Sequence, residues 1–156
     1  MKTWQRILVV IIVVAFGSVV GFDRLIGRDK AFNAISVSNL KVVGLGLMMY
    51  SDDYNNVLPN LSDAESMKIA VAAYVSKDES RAEKFFVHPK TGRPYQPNSS
   101  LTYKERTGFN APSAIAVVYE DAPAADATRA VLFGDGHVER VTESRWLELK
   151  KSSNIL

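Results

Sequence analysis

The chain has no cysteine, which removes disulfides, thiolate metal sites and cysteine nucleophiles together. That absence leaves the compartment open, because an exported protein can do without disulfides. Histidine is scarce, with His88 and His137 the two in the chain. A charge excess is lacking as well: 19 basic against 17 acidic residues leave a net +2, and the basic ones are scattered. No strong field recruits nucleic acid, which is excluded as an expected partner. Several signatures of chemistry are missing. There is no Gly-x-Ser-x-Gly elbow and no His-Glu-x-x-His pair. Residues 51–56 offer oxygen ligands but not the Asp-x-Asx-x-Asx-Gly order with a distal glutamate that calcium loops use. Gly44 and Gly46 follow no strand and precede no third glycine, so they are not a nucleotide fingerprint. No catalytic residue, cofactor or metal ligand is expected.

What the sequence does have is a long uncharged run at residues 7–22. Its β-branched start would suit a buried strand, but the apolar character persists through Ala15, Phe16, Val19 and Val20. As a helix it would be roughly 24 Å long, somewhat short of a bilayer core of about 30 Å. Trp4 at the interface, with Leu25 and Ile26 following Phe22 and Arg24 snorkelling, closes the gap. The expectation is a short tail at residues 1–6, a membrane span at 7–26 and a head at 27–156. The competing reading is a cleaved secretory signal, with Lys2 and Arg6 before the apolar stretch and Ala15-Phe16-Gly17 as a small-x-small site. Either way the head is exported. Lys2 and Arg6 on one side balance Arg24, Arg28 and Lys30 on the other, so orientation rests on the short tail staying inside. The expected location is the inner (cytoplasmic) membrane, crossed once, with the bilayer itself as a partner.

About 125 of the 156 residues lie beyond the span, enough for one domain and too few for two. The mixed-charge collar around Gly27 is read as continuing helix. From Ser36, Leu40, Val43, Leu47, Tyr50 and Tyr54 recur at spacings of three and four, which defines one helical face. Leu40, Val43, Leu47 and Tyr50 are therefore expected to pack the helix on a sheet. Gly44 and Gly46 each weaken a helix by about 1 kcal/mol, so something must approach them closely.

Ser62 with Glu65 reads as a capping box, opening a short helix that turns Met67, Val71 and Tyr74 inward. Residues 77–84 read as a solvated charged face. Residues 85–87 read as a strand, and Pro94 and Tyr95 as an extended or edge segment. Residues 97–109 are polar and irregular, 114–119 form a central strand buried on both faces, and 121–129 form a small-residue loop. Residues 143–151 close the chain as a helix anchored by Trp146 and Leu149.

The sharpest local signal is Ala130-Val131-Leu132-Phe133-Gly134, then Asp135-Gly136, then His137-Val138-Glu139-Arg140-Val141. Asp135 and Gly136 suit a two-residue type I′ hairpin turn. In that register Phe133 faces Val138 and Val131 faces Arg140, putting Val131, Phe133 and Val138 on one face and Leu132, Glu139 and His137 on the other. The turn explains Asp135, and the return strand explains His137, without chemistry.

This hairpin resembles the Asn-Val-Leu-Phe-x-Asp-Gly-His-Val ending of type IV pilin-like proteins of planctomycete-type bacteria, similar to type II secretion pseudopilins. Asn39-Leu40-Lys41 through Leu47 and Tyr50, then Asp53-Tyr54 and Leu58-Pro59-Asn60, is similar to the end of that family's pilin helix. Tyr74-Val75, Pro112-Ser113 and Val117-Val118-Tyr119-Glu120 fall in the family's order, so the resemblance covers residues 38–141. It departs at the front. No Gly-Phe cleavage site precedes Ile7 and no glutamate lies in the run; Gly21-Phe22 comes after it. His88-Pro89 stands where the family has cysteine-proline, and Ala125 where it has a histidine. The resemblance implies an α+β pilin-like fold, a long N-terminal helix packed on a small antiparallel sheet. It also implies a non-catalytic structural or assembly role with pilin-like or secretion-system partners. The alternative is a tethered or secreted binding module, with Tyr95, Tyr103 and the loop at 122–127 meeting a glycan or a partner protein.

Overall fold

The computed structural model describes the backbone of residues 3–155 and the side chains of residues 27–155. The chain divides into two compact units, Met1–Phe32 and Asn33–Leu156. Helix α1 runs over Thr3–Asp53, and none of its glycines interrupts it. The side chains of the expected membrane span, residues 7–26, lie outside the described residues. Within the described part, the Gly27–Asp53 stretch is long enough to cross a membrane and contains an 18-residue window of mean hydropathy 1.3. Much of that stretch, however, serves the core of the second unit.

The second unit is α+β. After α1 come α2 (Ala64–Val75) and α3 (Glu79–Glu83), then strands β1 (Gln96–Pro97), β2 (Ala116–Tyr119), β3 (Thr128–Phe133) and β4 (Val138–Thr142), and finally α4 (Glu143–Ser152). The four strands form one antiparallel sheet in the order β1-β2-β3-β4. Pro97 sits on the edge strand, where its missing N–H costs no ladder bond. β2 is central and buried, and its Val117 is a bulge residue: Ala116 pairs with Phe133 and Val118 with Leu132. The extra residue turns Ala116 and Val118 toward opposite faces. On one face Leu40, Val43 and Leu47 of α1 and Met67 and Val71 of α2 pack with Val118, Ala130 and Leu132. On the other, Trp146 and Leu149 of α4 pack with Ala116, Val131, Phe133 and Val141. The sheet is therefore covered on both faces, as an apolar sheet requires.

Both glycines of α1 are close approaches. A Cβ on Gly44 would lie 2.7 Å from Leu132 Cδ1, and one on Gly46 would lie 2.7 Å from Val71 Cγ1 and 2.9 Å from Val75 Cγ2. Gly44 thus admits the sheet and Gly46 admits α2.

Some local readings shift. The cap of α2 is Asp63, whose carboxylate accepts from Ser66 N at 2.8 Å, so Ser62 is displaced by one residue. A charged acceptor outcompetes a hydroxyl for the same orphan amide. Glu65 pairs with Lys68 at 2.8 Å rather than closing a box. Phe85 and Phe86 lie in turns, and Val87 forms only an isolated bridge with Pro94, whose lack of N–H stops a ladder there. β3 begins at Thr128, inside the expected loop, and Arg129 is buried.

The hairpin differs from the two-residue turn by one residue. Phe133 N donates to His137 O at 2.9 Å and Gly136 N to Phe133 O at 2.9 Å, so the loop is Gly134-Asp135-Gly136. Of these three only Gly136 has positive φ, at 88°. This is a type I turn closed by a left-handed glycine, which spares Asp135 the positive φ that a type I′ turn would impose. The pairs are Leu132 with Val138, Val131 with Glu139 and Ala130 with Arg140. Val138 consequently joins Leu132 on the α1 side, while Val131 and Phe133 face α4.

Candidate functional site

Of the four helix residues expected on the sheet, Leu40, Val43 and Leu47 are buried in the shared core. Tyr50 is not among them. It is half-buried at the end of α1, stacked on Tyr54 at 4.2 Å and meeting Tyr74 of α2 edge-on at 5.9 Å. The helix has turned far enough by that point for its apolar face to address α2.

The opposite side of α1 carries a second stripe. Ile35, Ser38, Val42, Leu45 and Met49 recur at spacings of three and four, with Ile35, Leu45 and Met49 exposed, Leu45 by 60%. An amphipathic core helix normally keeps that face polar. The same periodicity test that found the buried stripe would have found this one.

A buried polar hub joins α1 to the sheet. Glu120, just after β2, accepts from Ser36 Oγ of α1 at 2.5 Å and from Ala130 N of β3 at 2.9 Å. Arg140 Nη1 of β4 lies 3.5 Å from each carboxylate oxygen. Tyr95 hydroxyl bonds Ser36 Oγ at 2.9 Å, and burial pushes that phenol up to about 12. His88 approaches from the loop before β1, its Nε2 3.6 Å from Glu120 Oε1. Its Nδ1 faces Lys90 N and Thr91 N at 3.2 and 3.3 Å, so Nδ1 is the acceptor and the ring proton sits on Nε2. Burial first, then the Arg140 and Lys90 charges, lower the His88 pKa against the opposing pull of Glu120. Chemically the hub is a pin. Ser36 is wholly buried and bonds the carboxylate directly, so the contact ties α1 to the end of β2.

A second pin holds the chain end: Asn98 Nδ2 donates to Ala116 O at 3.0 Å and to Ser153 O at 2.8 Å. Arg129 grips Glu143 through two bonds of 2.9 Å and lies 4.7 Å over the Trp146 ring.

At the hairpin tip, Asp135 Oδ1 accepts from His137 N at 3.1 Å and contacts its ring Nδ1. Burial works to raise the Asp135 carboxyl, but the His137 contacts hold it below its ordinary value. The His137 ring stacks on Phe133 at 4.4 Å, and a Cβ on Gly136 would collide with Met48 Cε of α1. Among the described residues no three histidine, aspartate or glutamate side chains converge as metal ligands. The cleft beside Gly44, Met48, Phe109 and Gly134 holds about 20 Å³, room for little more than one water.

The expected recognition surface is reorganised. Tyr95 is only 1% exposed and belongs to the hub, so it cannot meet a ligand. Tyr103 does face solvent. The loop at 122–127 is fastened by Asp126, which accepts from Thr128 N at 3.1 Å and Thr128 Oγ1 at 2.7 Å. No family model matches the chain, and no curated protein or solved structure matches it either.

Proposed function

We propose that the protein is a non-catalytic, membrane-anchored pilin-like scaffold with its head outside the cytoplasm, serving a structural or assembly role beside pilin-like or secretion-system partners. The observation that carries this reading is the second stripe of α1. Ile35, Val42, Leu45 and Met49 leave apolar surface on the very helix whose first half the sequence reads as a span. The hub and the glycine contacts fix that helix against the sheet, so the stripe is presented rigidly. A rigid apolar face on a lipid-tethered helix suits side-by-side packing with another such helix. The absence of cysteine makes the test clean. Leu45→Cys and Met49→Cys, placed singly in the full chain, should give oxidative crosslinks in membranes, while Ser62→Cys should not. Crosslinks absent from both stripe variants, together with release of the protein by alkaline carbonate, would overturn the reading. Release of a shortened chain starting near Ser18 would point to a cleaved signal and to the tethered or secreted binding module instead.

A further inference from the structure

The C-terminal end of α1 carries tyrosines that the core does not require. Tyr50 and Tyr54 stack with 13° between their planes, and Tyr74 closes the inner side edge-on at 71°. The Tyr74 hydroxyl donates to Asp53 Oδ2 at 2.9 Å, which fixes that carboxylate at the platform's margin. Tyr54 is 53% exposed and Tyr103 65%. The backbone here is strained as well: Asn55, Asn56 and Tyr103 have φ of 55°, 63° and 57°. Asparagine tolerates that region, whereas a bulky aromatic there is an outlier. An exposed Tyr103 gains no burial to offset the strain, the pattern of a side chain held for use at a surface.

The two segments are fastened together. Leu58 N donates to Lys104 O at 2.9 Å, Arg106 N to Asn56 O at 2.8 Å and Tyr103 N to Pro59 O at 3.4 Å. Burial and then the Tyr54 and Tyr103 phenols raise the Tyr50 pKa, consistent with Tyr103 lying beside the stack. Arg106 Nη2 bonds Asp52 Oδ1 at 2.6 Å, which neutralises that carboxylate locally. The result is an aromatic surface flanked by the Asn55 and Asn56 amides, by Asp53 already holding a phenol, by the Arg106–Asp52 pair, and by the oppositely charged Lys104 and Glu105 beside Tyr103.

We propose that this platform binds a neutral polysaccharide of β-linked, gluco-configured pyranose rings, with Tyr54 and Tyr103 stacking on the sugar faces and Asp53, Asn55 and Asn56 meeting the hydroxyls. In that configuration the hydroxyls are equatorial, so each ring face presents C–H groups. Those groups complement the negative face of an aromatic ring. Tyr54, held by its stack on Tyr50, loses little freedom on binding, which favours such contacts. The locally balanced charge argues against an ionic ligand. This site is independent of whether the stripe on α1 assembles.

Titration of the full chain with cellohexaose tests it, in a polyoxyethylene detergent because a glycoside detergent would compete. Saturable heat and retention on cellulose are expected. Tyr54→Ala and Tyr103→Ala should each weaken binding about tenfold or more, a loss of about 1.4 kcal/mol or more, while Tyr54→Phe keeps it. Unchanged thermal melts would show that the variants fold. Absence of binding by the parent, affinity that survives both alanine variants, or capture of tetramethylammonium in place of the sugar would each overturn the proposal.

Discussion

Gly44 of α1 and Leu132 of β3 stand so close that a methyl group on the glycine would lie 2.7 Å from the leucine's Cδ1. Leu132 is itself buried, so it has little room to yield. Gly44→Ala gains about 1 kcal/mol of helix propensity but overpacks the contact at a cost of about 1–3 kcal/mol. A small net loss is expected. Leu132→Ala alone should cost about 2–5 kcal/mol. In the double variant the new methyl enters the space the leucine leaves, so the sum should fall short of additivity by about 1 kcal/mol. Denaturant melts of the three variants measure that coupling, and strict additivity would mean the two residues do not touch.

Glu120 ties four segments at once, because Ser36, Ala130, Arg140 and His88 all approach its carboxylate. Glu120→Ala strands the buried Ser36 Oγ and Ala130 N without their acceptor, while Arg140 keeps Asp126 at 3.5 Å, and it should cost about 1–3 kcal/mol for each orphaned group. Glu120→Gln keeps an acceptor for Ser36 and Ala130 and should cost clearly less. Equal losses in thermal melts would assign the effect to charge alone.

Acid should loosen the same corner. The His88 pKa is lowered from its ordinary 6.5, so the folded state prefers the neutral ring and the unfolded chain binds the proton more readily. The stability this contributes is fully present above 6.5 and is lost as pH falls through the lower folded value. Asp63, Asp126 and Asp135, lowered from 3.8, add a second loss in more acidic solution. His88→Asn retains an acceptor for Lys90 N and Thr91 N while removing the titration. Its melting temperature should vary less with pH just below 6.5 than that of the parent, and parallel profiles would exclude His88 as the source.

What the sequence made legible follows from period. Leu40, Val43 and Leu47 lie on one helical face, residues 114–119 are apolar at nearly every position, and Trp146 and Leu149 are spaced for one side of a helix. The helix residues and Ala116, Val117 and Val118 pack as their spacing implies, but the strand starts two residues late, because Pro112 opens a 3-10 turn that leaves Ala114 exposed. Tyr50 escaped that logic because it sits where α1 leaves the sheet for α2. The hub was illegible for another reason. Ser36, His88, Tyr95, Glu120 and Arg140 come from five separate segments, and no local pattern announces a long-range polar contact. Tyr95 consequently read as a surface aromatic.

The hairpin was legible in kind but not in register, because an Asp-Gly pair serves both a two-residue type I′ turn and the end of a three-residue loop. The two alternatives make different demands on the residues. In the observed loop only Gly136 occupies positive φ, and it also faces Met48. Gly136→Ala should therefore lose about 1–2 kcal/mol from the left-handed backbone alone, with a further loss from Met48 having to move. Asp135→Asn should be nearly neutral, since it keeps an acceptor for His137 N at ordinary φ. His137→Gln, removing an exposed ring stacked on Phe133, should cost less than about 1 kcal/mol. Paired with Gly136→Ala, Met48→Ala should recover the part of the loss that comes from collision and leave the backbone part. Thermal melts of the four variants and the pair separate the two contributions. A Gly136→Ala protein as stable as the parent would mean that the turn does not hold the left-handed glycine on which the Leu132–Val138 register depends.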